Sequence, residues 1–171
     1  MTFLVFDRQA DANEYKSDVS IVEQTIKYND LRKKQMVKKI QSSVDSLSNK
    51  NIAILGLSFK PETDDMRESP SIDIINGLLN LNANIFAYDP EAMNEAKKIF
   101  SDKINYLPNT QECISGKDIL VVLTEWNEFR ALSPLEISKL MKGNIVIDLR
   151  NIFDSKSMAD AKIEYIPLGK K

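Results

Sequence analysis

Between Ile52 and Ser71 the chain reads I-A-I-L-G-L-S-F-K-P-E-T-D-D-M-R-E-S-P-S, which sets one aromatic and two cations in a loop after an apolar run. Phe59 offers a flat apolar face to a base or sugar ring, and Lys60 offers a point charge to a phosphate. Arg67 stands just before Ser69-Pro70, a pair that reads as an N-cap and first helical residue. A guanidinium beside free helix N–H groups suits an anion such as a pyrophosphate. A third cation, Arg150, follows the run Ile145-Val146-Ile147-Asp148, where a strand end on the ligand side of a sheet suits a second phosphate or sugar contact. Each has a plainer alternative. Phe59 can plug the core beneath its loop, Lys60 can sit in solvent, and Arg67 can pair with Asp64, Asp65 or Glu68. Asp148 reads as the residue that orients Arg150 or ties down its loop.

These residues need elements to hold them. From Val19 to Leu47 the apolar residues Val22, Ile26, Val37, Ile40, Val44 and Leu47 recur at helical steps, thinning to Tyr28 and Leu31 in the middle. A helix of that length would span ~40 Å at a rise of about 1.5 Å per residue. It can bridge domains, pair with a copy of itself, or pack on a sheet. Ser48-Asn49-Lys50-Asn51 is a turn-like break, which divides a polar segment and long helix (residues 1–48) from a second domain (residues 49–171). Strands are expected at Asn51–Leu57, Asn84–Tyr88, Ile104–Tyr106, Ile119–Leu123, Ile145–Ile147 and Glu164–Ile166. Helices are expected between them at Pro70–Leu81, Glu91–Phe100, Asn109–Ser115 and Pro134–Met141. Such alternation with apolar strands predicts an α/β class. The domain would be Rossmann-like and three-layered, with a mainly parallel sheet, preceded by the long α-helix.

Bulk composition narrows the chemistry. The 171 residues carry a net charge of −2, so no overall field favours nucleic acid or an anionic membrane. The cluster Lys33, Lys34, Lys38 and Lys39 reads as a wet helix face, with nucleic acid as a minor alternative. There is no His, which removes a His general base, a Ser-His-Asp triad and His metal ligands. The single Cys removes an intrachain disulfide and a Cys-rich metal site. No catalytic or metal-ligating residue is assigned. With no apolar run long enough for a signal or span, a cytoplasmic protein is expected.

Other residues invite chemistry and are read more plainly. Asp89 ends the second strand, where an acid could hold ribose hydroxyls, but Gly56 stands alone without a Gly-x-Gly-x-x-Gly, so Asp89-Pro90 reads as a structural turn. Trp126 could stack on a ring or roof the core, Glu125 has no identifiable partner as a base, and Cys113 reads as buried packing.

G-L-S-F-K-P-E-T-D-D-M-R-E-S-P-S resembles the signature that opens the C-terminal, nucleotide-sugar-binding domain of the UDP-glucose 6-dehydrogenases, in the UDP-glucose/GDP-mannose dehydrogenase family. Leu123-Thr124-Glu125-Trp126-Asn127-Glu128-Phe129 is similar to that family's Thr-Glu-Trp segment. Val146-Ile147-Asp148-Leu149-Arg150-Asn151 is similar to its late strand, with Leu149 where Gly is usual. The resemblance implies that Phe59, Lys60 and Arg150 contact a UDP-sugar and that Arg67 reaches NAD bound in the neighbouring subunit. It implies that Val19–Leu47 is the central helix, which forms much of a homodimer contact. The family's thiol segment, Gly-x-Cys-hydrophobic-Pro-Lys-Asp, is not matched around Asp7, and no Cys precedes Cys113. The chain therefore looks like the C-terminal part of a dehydrogenase, with NAD bound mainly by another domain, and alone it is expected to be inactive. The parent reaction would oxidise the C6 hydroxyl of UDP-glucose to a carboxylate, feeding polysaccharide biosynthesis. Relatives act on UDP-N-acetylmannosamine, UDP-N-acetylglucosamine or GDP-mannose, and the run Thr63–Glu68 looks closer to the UDP-glucose branch. A non-catalytic nucleotide-binding or dimerisation module is the alternative from another class.

Overall fold

In the computed structural model, which describes residues 20–169, the apolar runs pair side by side in one sheet. The strands are β1 (Asn51–Leu55), β2 (Asn84–Tyr88), β3 (Asn105–Tyr106), β4 (Ile119–Val122), β5 (Ile145–Asp148) and β6 (Glu164–Pro167). Their order is β3-β2-β1-β4-β5-β6 and every pairing is parallel, so the mainly parallel sheet is wholly so. Helices precede or link them: α1 (Ser20–Ser42), α2 (Pro70–Asn80), α3 (Met93–Phe100), α4 (Thr110–Ile114), α5 (Asn127–Arg130), α6 (Pro134–Leu140) and α7 (Ser155–Asp160).

Strand period explains the two cores. Ile52 and Ile54 of β1 face one way with Ile119, Val121 and Ile147, against Ile74, Ile75 and Leu78 of α2 and Phe100 of α3. Ala53 and Leu55 face the other way with Leu120, Val122 and Val146, against Cys113, Phe129, Ile137 and Met158 of the remaining helices. β1 and β4 are thus buried on both faces, which is why they read as unbroken apolar runs. The chain winds outward from β1 to β3, then crosses back to β4. The point of reversal lies between β1 and β4, where α/β sheets open a crevice at the carboxyl ends of their strands.

Ser69 caps α2 by accepting from Ser71 N, with Pro70 in the first turn, as its sequence indicates. α1 departs from the sequence reading: it ends at Ser42 rather than Leu47. Ser42 and Ser43 turn their hydroxyls back onto the Lys39 carbonyl, at 3.0 and 2.8 Å, competing with the next helical bonds. Leu47 is still buried, delivered by the following turn instead of a helical face. Residues 1–18, read as a polar segment, and Val19 lie outside the described residues. α5 and α7 are additional, the latter capped by Asp154, which accepts from Ser157 N.

α1 lies against α2 through its second half. Met36, Val37 and Ile40 join the core, and Gly77 lets Val37 approach: a Cβ there would meet Val37 Cγ2 at 2.7 Å. Lys33 adds ion pairs to Asp73 at 2.9 Å and to Glu68 and Asp30 at 3.8 Å. Burial opposes the Lys33 charge, but the Asp73 hydrogen bond and the three carboxylates outweigh it and hold the ammonium above its ordinary range. The first half presents Ile21, Tyr28 and Leu31 outward, exposed by 82%, 58% and 52%.

Candidate functional site

β1 ends at Leu55 because Gly56 turns the chain at φ +93°, two residues before the expected end of the strand at Leu57. Any Cβ at Gly56 would lie 2.5 Å from Thr124 N, so the glycine serves close packing of two strand exits. From there the loop is pinned at its root. Leu57 N, Ser58 N and Ser58 Oγ donate to Asp89 Oδ2, and Thr124 Oγ1 donates to Ser58 O at 2.7 Å. The hydroxyls of Ser69 and Ser71 close the other end on Leu57 O. Phe59 N donates to Asp65 O at 2.8 Å, folding the intervening residues into a compact arch.

Phe59 sits on one wall of a cleft of about 200 Å³ between α1 and the carboxyl ends of β1, β4 and β5. Leu123, Leu149 and Ile74 give it an apolar floor, and Arg150, Arg32 and Lys33 bring three cations to its walls. Leu149, the residue found where Gly is usual in the resembling segment, is one of these floor residues.

Arg150 is held from below. Its backbone N donates to Asp148 Oδ1, its Nε donates to Leu123 O at 2.6 Å, and Glu125 Oε2 lies 3.2 Å from Nε. Asp148 is fully buried and organises the turn around it, accepting from Ile152 N, Phe153 N and Tyr165 Oη. Burial and the Asp148 bond push the Tyr165 hydroxyl pKa upward.

The predicted residues do not all converge. Phe59 and Arg150 line the cleft. Lys60, next to Phe59, is exposed beyond the cleft wall. Arg67 is 70% exposed, and its Nε and Nη2 each donate to Asp65 at 2.9 Å in a forked pair. Those bonds hold the Asp65 carboxyl below its ordinary range. Arg67 lines a separate hollow with Ile72, Glu95 and Ile99.

Sequence reading missed Asn29, Arg32 and Lys33, which α1 brings to the cleft. The signal was present: steps of three and four from Asn29 through Arg32 and Lys33 to Met36 mark the face that continues into the core. Lys33 was grouped with Lys34, Lys38 and Lys39 as a wet face, whereas its side chain is only 15% exposed.

Asp89 proves to be a fastening point. Oδ2 takes the three loop donors and Trp126 Nε1, while Oδ1 takes Glu91 N and Ala92 N. Its oxygens are committed internally, and Gly56 is filled by Thr124, so the residues expected of a dinucleotide site do not fit NAD here. Among the described residues no group of His, Cys, Asp or Glu fits a metal ion, and no helix is long and apolar enough to cross a membrane.

Cys113 is buried against the Ile54 and Phe86 carbonyls, and burial pushes its thiol up to about 12, over the opposing effects of Ile54 and Lys117. At pH 8 only about one thiol in ten thousand would be ionised. Iodoacetamide should therefore leave Cys113 unmodified in the native protein and label it in denaturant, as read by mass spectrometry. Rapid native labelling would contradict this burial.

Comparison with known proteins adds independent findings. The sequence model of the UDP-glucose/GDP-mannose dehydrogenase family, UDP binding domain, matches residues 53–155. The UDP-glucose 6-dehydrogenase of Rickettsia typhi is 43% identical over 159 residues, covering 92% of this chain and 37% of that protein. The Rhizobium meliloti UDP-glucose 6-dehydrogenase is 37% identical, covering 93% and 36% respectively. The chain thus spans little more than a third of these relatives. A UDP-glucose dehydrogenase structure from Pyrobaculum islandicum superposes with a TM-score of 0.73 at 24% identity, covering 92% of this chain and 34% of that one. An NDP-N-acetyl-D-galactosaminuronic acid dehydrogenase from Methanosarcina mazei superposes at 0.80 with 20% identity, covering 97% and 36%.

Proposed function

The chain belongs to the UDP-glucose/GDP-mannose dehydrogenase family and carries its UDP-binding domain, and on that premise we propose that the cleft beneath α1 seats the UDP portion of a nucleotide sugar. The observation that carries this reading is the pairing of an apolar floor with cations from two directions, Arg150 from the sheet and Arg32 from α1. The base would lie along Phe59 and Leu149, and the diphosphate would meet the guanidinium groups. Lys60, at the outer edge, would reach the phosphate or the sugar leaving the cleft. The sugar itself would project beyond this domain.

In the assembled enzyme the sugar would be glucose, its C6 hydroxyl oxidised to a carboxylate with NAD as hydride acceptor. The residues here bind and orient. None is placed to move a proton from C6, and NAD would be held by another part of the protein. Arg67 would offer its fork to the NAD of a neighbouring subunit, exchanging its contact with Asp65. The outward face of α1, with Ile21, Tyr28 and Leu31, would meet a second copy.

Calorimetric titration with UDP, UDP-glucose and NAD tests the assignment, with sedimentation velocity on the same sample. UDP and UDP-glucose should bind alike, NAD should give no heat, and the protein should sediment as a dimer. No heat from UDP on a folded chain would sink the cleft assignment, and a monomer at every concentration would remove the role of α1 as a dimer contact.

A further inference from the structure

Thr124, Glu125 and Trp126 leave β4 in succession, and each braces a different part of the site. Thr124 holds Ser58 O, Trp126 holds Asp89, and Glu125 stands beside Arg150. Thr124 and Trp126 have their hydrogen bonds, but Glu125 Oε2 is buried without one. Its distance of 3.2 Å to Arg150 Nε falls off the N–H axis, because that single proton points at Leu123 O. The contact is therefore one of charge against charge in a half-buried setting, where both side chains are only 31% exposed. A buried carboxylate oxygen with no donor is costly unless a cation lies against it. Meanwhile neither terminal nitrogen of Arg150 hydrogen-bonds a described residue, and the side chain lines the cleft.

We propose that Glu125 is the positioning residue of the site: it holds the Nε side of the Arg150 guanidinium against Leu123 O, so that both terminal nitrogens face the anion. This rests on the UDP reading of the cleft. A long flexible cation loses rotamer freedom when it grips an anion, and a counter-charge that fixes it beforehand removes that cost at binding. The same carboxylate also repels the anion directly. The two effects have opposite signs, so substitution tells them apart.

Glu125→Ala and Glu125→Gln, each alone and combined with Arg150→Ala, are titrated with UDP and with uridine after a melting curve confirms folding. Glu125→Ala should weaken UDP about tenfold, the scale of one charge-assisted contact, and leave uridine unchanged. Glu125→Gln keeps the shape but removes the counter-charge, so it should lose about as much as Glu125→Ala. With Arg150→Ala already present, Glu125→Ala should cost nothing more. Unchanged or tighter UDP binding in Glu125→Ala, wild-type affinity in Glu125→Gln, equal losses for UDP and uridine, or a loss that persists without Arg150 would each overturn the proposal. A ligand-free measurement separates it from the functional reading. In ¹⁵N-labelled protein the Arg150 Nε–H should be rigid in the wild type and more mobile in both Glu125→Ala and Glu125→Gln. If the wild type binds no UDP, the functional reading falls while this signal still decides the positioning role, and unaltered rigidity in Glu125→Ala counts against it.

Discussion

Asp89→Asn should cost about 3–5 kcal/mol of stability, the largest loss expected from any isosteric change in this chain. Four donors, Leu57 N, Ser58 N, Ser58 Oγ and Trp126 Nε1, converge on Oδ2, and Glu91 N and Ala92 N converge on Oδ1. An amide has one accepting oxygen. Whichever way Asn turns, its NH₂ group faces N–H donors that have no other partner, in a position with no solvent exposure. For a protein of this size the melting temperature should fall by roughly 6–20 °C, since each kcal/mol is worth about 2–4 °C. Urea unfolding checks the figure, and a loss under about 1 kcal/mol would mean that these bonds are easily replaced. The change would also loosen Leu57 and Ser58, which root the Phe59 loop, so UDP affinity should fall further than a remote mutation of equal stability cost would bring about.

Arg150→Ala should reduce UDP affinity by about thirtyfold or more, equivalent to roughly 2 kcal/mol. The substitution does two things at once. It removes the terminal guanidinium nitrogens from the cleft, and it strips the cation from beside Glu125 Oε2, which is buried without a hydrogen bond. The sheet side of the cleft then presents a lone negative charge to a diphosphate. Uridine, which has no phosphate, should be affected far less. Arg150→Lys should rescue poorly, because an ammonium cannot donate to Leu123 O and still offer a planar pair of donors to the ligand. Titration with UDP and uridine reads all of this. UDP binding within threefold of wild type in Arg150→Ala would show that the anion contacts lie elsewhere on the cleft.

The sheet was legible because its signals are local. Ile119–Val122 is buried on both faces and apolar throughout, and Ser69-Pro70 announces α2 with an N-cap and a first-turn proline, as Ser133-Pro134 does for α6. Strand ends were less so: Leu57 is as apolar as Leu55, and only the positive φ of Gly56 shows that pairing stops before it. The end of α1 was misread because Val44 and Leu47 keep the helical period while Ser42 and Ser43 break the backbone. Period reports which side is buried, and a turn can bury a residue as well as a helix can. Half of the cleft was hidden for a different reason. Phe59 and Arg150 sit at strand exits, where chemistry is expected, but Arg32 and Lys33 matter only because α1 docks across those exits. That docking depends on Gly77 and on acids from two other segments, a coincidence in space that no single stretch of sequence records.

The contrast between the two halves of α1 has a consequence for cooperativity. From Met36 onward the helix shares its fate with the core, and opening it exposes Val37 and Ile40 along with the groove they fill. Before Asn29 it has Ile21 and Tyr28 in solvent, and so short a run of helix in water is marginal by itself, since nucleation is unfavourable and short segments melt locally. One continuous helix therefore carries two free energies of opening. The cations that face the cleft, Arg32 and Lys33, sit at the junction between the part that melts only with the domain and the part that can fray without it.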